Sequence, residues 1–271
     1  MSLNIDDYKL PSPSPEGIQI MEMLSEVNVD LNILSDIISR DPVLAATAMK
    51  YANSPIYRRL VEIKSVRKAV NMLGLKNVAT IILIATMRGF GTPPTKASEA
   101  IWEHCMGVSA LARLIARMID RNLQDKAEFL ATIHDIGAIT LAVNIDKYDV
   151  IFQQALDQKI NIEDAEKEEL GFSHDDITPQ SLAKLSLPEE MIQLLDRFHH
   201  REALTEIKND DDKLLAILSL AHQMEKQIHG DTRVNSQMPE STDTLITLLK
   251  LSQDDIDDVT EDFENILSQG F

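Results

Sequence analysis

The sequence predicts an all-α protein, a multi-helix bundle in which an N-terminal helical lobe packs on a second helical lobe. Three observations point there. Helix breakers are sparse, 9 Gly and 10 Pro in 271 residues, while Leu, Ile and Ala are abundant. Apolar residues recur at helical spacing in one segment after another. Cap residues open the segments, and Gly, Pro or Asn close them. A chain of 271 residues, 44% of them hydrophobic, can bury a sizeable core in one large domain or two smaller ones.

The elements follow in order. Leu10-Pro-Ser-Pro-Ser-Pro15 enforces an extended approach. A first helix is expected from about Glu16 to Glu26. Asp30 then serves as the N-cap of a helix carrying Leu34, Ile37 and Ile38, and Asp41-Pro42 opens the next, with proline at its first position. Asn53-Ser54-Pro55 ends that helix after Leu44, Ala48 and Tyr51. Ser65 repeats the cap ahead of Val66, Ala69, Val70 and Leu73, with Gly74 as the stop. Lys76 to Arg88 forms a further apolar helix, and Gly89 to Pro94 reads as a linker. The N-terminal lobe, residues 1–95, thus holds no catalytic cluster; residues 96–230 form the second lobe and 231–271 an acidic C-terminal extension.

The second lobe is organised around Phe129 to Val143, FLATIHDIGAITLAV. Ala127, Leu130, Ala131 and His134 fall on one helical face, so the imidazole points inward with the aliphatics. Burying His134 and Asp135 unpartnered costs several kcal/mol, so each must meet a donor, an opposite charge or a metal ion. Singly, the remaining histidines read blandly. His104 shares a stripe with Val108, Leu111 and Ile115; His174 sits in an expected turn before Asp175; His199-His200 ends a helix, where positive charge is mildly favourable. Together, five of seven histidines with Asp135 lie at the ends or inward faces of successive helices, where a bundle brings them around one pocket. Imidazole and carboxylate suit Fe, Mn, Zn or Ni.

Charge and cysteine usage restrict the partners. A formal charge of −18 argues against a nucleic-acid backbone or an anionic membrane as the main partner. The single Cys105 excludes an intramolecular disulfide and fits a reducing compartment. No apolar run reaches about 18 residues and no signal peptide opens the chain, so a cytoplasmic location is expected.

LPSPSP from Leu10, Asp41 to Tyr57 (DPVLAATAMKYANSPIY) and Ser65 to Gly74 (SVRKAVNMLG) resemble, in order and spacing, the start of the HDOD family. Ile101-Trp-Glu-His104, Ile133-His-Asp-Ile-Gly137, Glu166, Gly171, His174, Leu187-Pro188 and His199-His200 continue the resemblance, which spans about residues 10–228. These are output domains of bacterial signalling proteins, related to the HD superfamily of metal-dependent phosphohydrolases, and the second lobe is accordingly expected to be HD-like.

The resemblance implies a ligand set. In catalytic HD proteins the first histidine, the His-Asp pair and a distant aspartate hold the metal. The matching positions are His104, His134 and Asp135, with His222 where the aspartate would stand and Asp135 as the catalytic candidate. His174, His199 and His200 resemble the extra ligands of HD-GYP phosphodiesterases, but Ala138 replaces the lysine after that family's HD motif, and Arg201-Glu-Ala-Leu204 follows His200 instead of Gly-Tyr-Pro. Arg58, Arg59, Lys64 and Arg201 are candidate cations for a phosphoryl group. The expected function is a signalling output or interaction module with a metal-capable pocket and no strong catalysis, serving a signalling protein partner or a small ligand. The alternative is a metal-dependent phosphohydrolase acting on a phosphate ester or nucleotide phosphodiester. Asp254 to Glu264 carries seven carboxylates around Ile256, Val259 and Phe263, the pattern of an amphipathic helix with a solvated face, while Asp231 to Thr244 reads as an irregular arm.

Overall fold

The computed structural model describes residues 8–23, 29–57, 62–90, 94–185, 187–200, 203–229 and 240–269. Every regular element among them is an α-helix, as the periodicity requires. The described residues fall into two compact units, one within 11–90 and 260–271, the other within 1–10 and 91–259.

The first unit contains α1 (Pro15–Met23), α2 (Leu31–Ile38), α3 (Pro42–Ala52), α4 (Val66–Leu73) and α5 (Leu75–Gly89). Local chemistry sets their ends. Asp30 accepts the Asn32 amide, Asp41 accepts those of Val43 and Leu44 with Pro42 at the first turn, and Ser65 accepts that of Lys68. Gly74, at φ 75°, stops α4, a conformation that favours glycine. Leu34, Ile38, Ala48, Ala69, Val70, Ile81 and Ile82 form the buried core of this unit. Gly89 belongs to α5 and not to the expected linker; positions 91–93 of that linker and 24–26 of the expected first helix lie outside the described residues.

The second unit carries α6 (Lys96–Ile119), α7 (Gln124–Ile133), α8 (Ile136–Asn144), α9 (Tyr148–Gln158), α10 (Ile162–Leu170), α11 (His174–Lys184), α12 (Glu189–His199), α13 (Asp210–His229) and α14 (Thr242–Leu249). α15 (Gln253–Gln269) begins in this unit and carries residues of the other. A capping box between Thr95 and Ser98 starts α6, which packs along α7 and α13, while α8 packs on α11 and α12 lies against both α11 and α13. The apolar run around the His-Asp pair is not one helix. Asp135 adopts φ −101° and ψ 30°, so α7 ends at His134 and α8 starts after Asp135. Consecutive residues of a continuous helix diverge by about 100°. At this break both side chains can enter one pocket.

Gly137 explains how close the next layer comes. A Cβ there would lie 2.4 Å from the His174 carbonyl oxygen and 2.3 Å from Thr178 Oγ1, so α11 touches the backbone of α8. That contact brings the start of α11 beside the His-Asp pair. The expected irregular arm ends earlier than Thr244: Ser241 caps α14, which begins at Thr242, and positions 231–239 lie outside the described residues. In α15, Val259, Phe263 and Ile266 are buried and the carboxylates between them are exposed, as the pattern requires. No helix among the described residues is long and apolar enough to cross a membrane.

Candidate metal centre

Three histidines from three helices meet in the interior of the second unit. His104 comes from the middle of α6, His134 from the end of α7 and His222 from α13, and their ring centroids lie 4.8–5.7 Å apart. None is more than 2% exposed. Asp135 stands beside them, its Oδ2 3.3 Å from His134 Nε2 and 3.7 Å from His104 Nε2.

The outer hydrogen bonds fix the inner atoms. His104 Nδ1 faces Glu225 Oε2 at 2.6 Å, and His134 Nδ1–H donates to the Ala131 carbonyl at 2.7 Å. With Nδ1 of each ring turned to these acceptors, both Nε2 atoms face into the pocket beside Asp135. Neither Nε2 makes a hydrogen bond, the Asp135 oxygen lying 3.3 Å from one and 3.7 Å from the other, and buried His222 Nδ1 has none either. An unmade hydrogen bond on a buried polar atom costs about 1–3 kcal/mol. Three in one pocket, beside a carboxylate, form a donor set suited to a divalent transition metal.

Electrostatics separate the rings of this pocket. Burial alone disfavours the charged form of His134, but the adjacent Asp135 carboxylate outweighs it and holds the imidazole pKa well above 6.5. Burial would raise Asp135, yet the imidazoles of His134, His174 and His104 keep its carboxyl well below the usual range. His222 moves oppositely: burial first, then His104 and His134, push it well below 6.5 and keep its ring neutral. A neutral imidazole is the form that binds metal, so His222 is ready for an ion and His134 would give up a proton to one.

A second group adjoins the first across Asp135. Ligand atoms of Asp135, His174 and His199 lie within 4.8 Å of one another. His174 is not a solvated turn residue. It is 2% exposed at the start of α11, where a capping box between Ser173 and Asp176 holds the helix end. Glu166 accepts both its backbone amide, at 2.8 Å, and its Nδ1–H, at 2.7 Å, and the buried Tyr148 hydroxyl donates to the other Glu166 oxygen. After burial, which lowers it, Glu166 is the largest influence on His174 and lifts its pKa well above 6.5. In His199 both ring nitrogens are engaged, Nδ1 with Asp175 at 2.7 Å and Nε2–H with the His134 carbonyl at 2.6 Å.

The expected ligands therefore divide. His104, His134, Asp135 and His222 converge, with His174 and His199 beside them. His200 does not join: its side chain is 70% exposed and its Nδ1–H donates to the Asp196 carbonyl. Two orienting carboxylates, Glu166 and Glu225, have roles that the sequence alone does not assign. The signal for Glu225 was a second ionisable residue on the His222 face of α13, three positions on. It also depends on Gly107, where a Cβ would come within 2.8 Å of Glu225 Cγ. Of the candidate cations, Lys64 is exposed and pairs with Glu62 at 3.4 Å, and Arg58, Arg59 and Arg201 lie outside the described residues. Ala138, at the position matching the HD-GYP lysine, is buried and supplies no charge.

Comparison with known proteins returns one family and a set of folds. The HDOD domain model matches residues 10–201. An HDOD domain protein of unknown function from Geobacter sulfurreducens aligns at 21% identity and TM-score 0.69, covering 96% of this chain and 88% of its own. A protein from Shewanella amazonensis SB2B, provisionally named a metal-dependent phosphohydrolase, aligns at 16% identity and TM-score 0.69, covering 96% and 92%. A provisionally named signal transduction protein from Marinobacter aquaeolei VT8 aligns at 18% identity and TM-score 0.72, covering 99% of this chain, which spans 61% of that longer protein. At these identities the likeness is one of fold. No curated protein matches. With the family match extending over well over half its length, the chain belongs to the HDOD domain family.

Proposed function

We propose that this chain is an output or interaction module of a bacterial signalling system whose HD-like pocket holds a divalent metal ion and has little or no catalytic activity. The observation that carries the reading is the convergence of three buried ring nitrogens without hydrogen-bond partners, His104 Nε2, His134 Nε2 and His222 Nδ1, beside Asp135. Those four residues would hold the ion, and Fe, Mn, Zn and Ni all suit an imidazole-carboxylate set. When bound, the ion would supply Lewis acidity toward water or a phosphoryl oxygen. The protein's own contribution is orientation. Glu225 and the Ala131 carbonyl set the rings of His104 and His134, Glu166 sets His174, and burial keeps bulk water from competing for Asp135. The partner is a signalling protein or small ligand in the cytoplasm, and the net charge of −18 disfavours nucleic acid and anionic membrane.

A second reading, metal-dependent hydrolysis of a phosphate ester or nucleotide phosphodiester, is favoured by one observation: Asp135 belongs to both ligand groups, as a carboxylate shared between two ions would. Against it stand His222 in place of an aspartate, Ala138 in place of a lysine, and the engagement of both His199 nitrogens by oxygen acceptors. The two readings separate in one experiment. Protein purified without an affinity-metal step is analysed for metals and assayed on a generic phosphodiester with added Mn, Fe or Ni. Near-stoichiometric metal without turnover supports the module. Turnover abolished by His134→Ala supports the hydrolase, and absence of metal under all loadings removes both.

A further inference from the structure

Cys105 follows His104 on α6 and is fully buried. A buried free cysteine is ordinarily a small apolar filler. This one is placed differently. Its Sγ lies with a ring nitrogen of His134 and a carboxylate oxygen of Asp135 in a cluster whose ligand atoms are all within 4.8 Å of one another. Beside it, His134 Nε2 is buried and has no hydrogen-bond partner, and His104 Nε2 on the same helix shares that condition. The sulfur therefore borders a pocket of polar donor atoms.

We infer that Cys105 is a ligand, with His134 and Asp135, of the ion this pocket holds and makes it selective for thiophilic ions of the zinc and ferrous class over manganese and magnesium. This rests on reading the pocket as a metal site. Chemically, imidazole and carboxylate alone discriminate weakly among divalent ions, whereas thiolate sulfur strongly favours the softer ones. On binding, the S–H bond breaks and a sulfur–metal bond forms, and the proton passes to the buffer, so loading releases one more proton than an imidazole-carboxylate site would.

The test is a Co(II) titration of chelator-stripped full-length protein, with two optical signatures read together. The d–d bands report occupancy of the pocket, and a near-ultraviolet thiolate-to-cobalt charge-transfer band reports sulfur in the coordination shell. Both are expected in the wild type. Cys105→Ser and Cys105→Ala should keep the d–d bands, lose the charge-transfer band, release one proton fewer, and lose zinc affinity by at least the roughly 10–100-fold that loss of an outer partner costs, with manganese affinity little changed. Wild-type d–d bands without charge transfer would overturn the cysteine assignment and leave the metal pocket standing. No d–d bands at all would overturn both. The wild-type spectrum decides the matter even if a variant fails to fold.

Discussion

The two sides of Asp135 are built from the same residue types and reach opposite states. On one side His104, His134 and His222 each present a buried ring nitrogen with no hydrogen-bond partner. On the other, His199 has both nitrogens occupied, by Asp175 and by the backbone of His134. Histidine density does not make a metal site; ring nitrogens left over after the protein's own hydrogen bonds are counted do. The first side carries polar atoms whose cost a ligand would recover, and the second satisfies much of its own demand. His174 is intermediate, its Nδ1 fixed by Glu166 while its Nε2 lies 3.5 Å from Asp175.

That contrast can be broken from the scaffold, and the largest effect is expected at Gly137. The added methyl of Gly137→Ala meets backbone atoms of α11, which cannot swing aside as a side chain can, so α8 and α11 must separate. Stability should fall by at least the roughly 1–3 kcal/mol typical of overpacking. Urea unfolding of the metal-free variant gives the loss directly, and a change below about 0.5 kcal/mol would mean that the interhelical contact is not close. Next is Glu225→Gln, which keeps the shape but removes the carboxylate holding His104. Zinc affinity measured by calorimetry should drop by about 10–100-fold.

A smaller effect is expected in the pH dependence of the metal-free protein. His222 has a pKa well below 6.5 when folded, so below about pH 6.5 the unfolded chain takes up a proton there before the native state does. The unfolded state then binds more protons, and stability falls as pH drops, by about 1.4 kcal/mol per pH unit for one such group. His134 and His174 are raised and act in the other sense: their contributions are complete below about 6.5 and fade as pH climbs through their folded values. His222→Gln should therefore flatten the acid-side slope, and an unchanged slope would mean that His222 is not buried in its neutral form. Last, His200→Ala should leave metal content unchanged and stability within about 0.5 kcal/mol, because the side chain is exposed.

Much of this was legible in the sequence, for a local reason. The caps at Asp30, Asp41-Pro42 and Ser65 and the stop at Gly74 are decided within one turn of chain, and they stand where the residue types put them. The family pattern also pointed to the converging residues. His199 and His200 could not be told apart because adjacent helix positions face about 100° apart, and only the packing of α12 sets which one turns inward. The helix break at His134-Asp135 carries no Gly or Pro at the pair to announce it. Glu225 lies 121 residues from His104, so its spacing from His222 marks a shared face of α13 but not that contact.

The central claim is that unpartnered nitrogens, not histidine count, define the metal centre. Its most direct test is zinc calorimetry on chelator-stripped wild type alongside His222→Ala and His199→Ala. Near-stoichiometric binding is expected for the wild type, with loss of at least tenfold in affinity for His222→Ala and retention of the site in His199→Ala. Equal losses in the two variants, or a loss confined to His199→Ala, would contradict it.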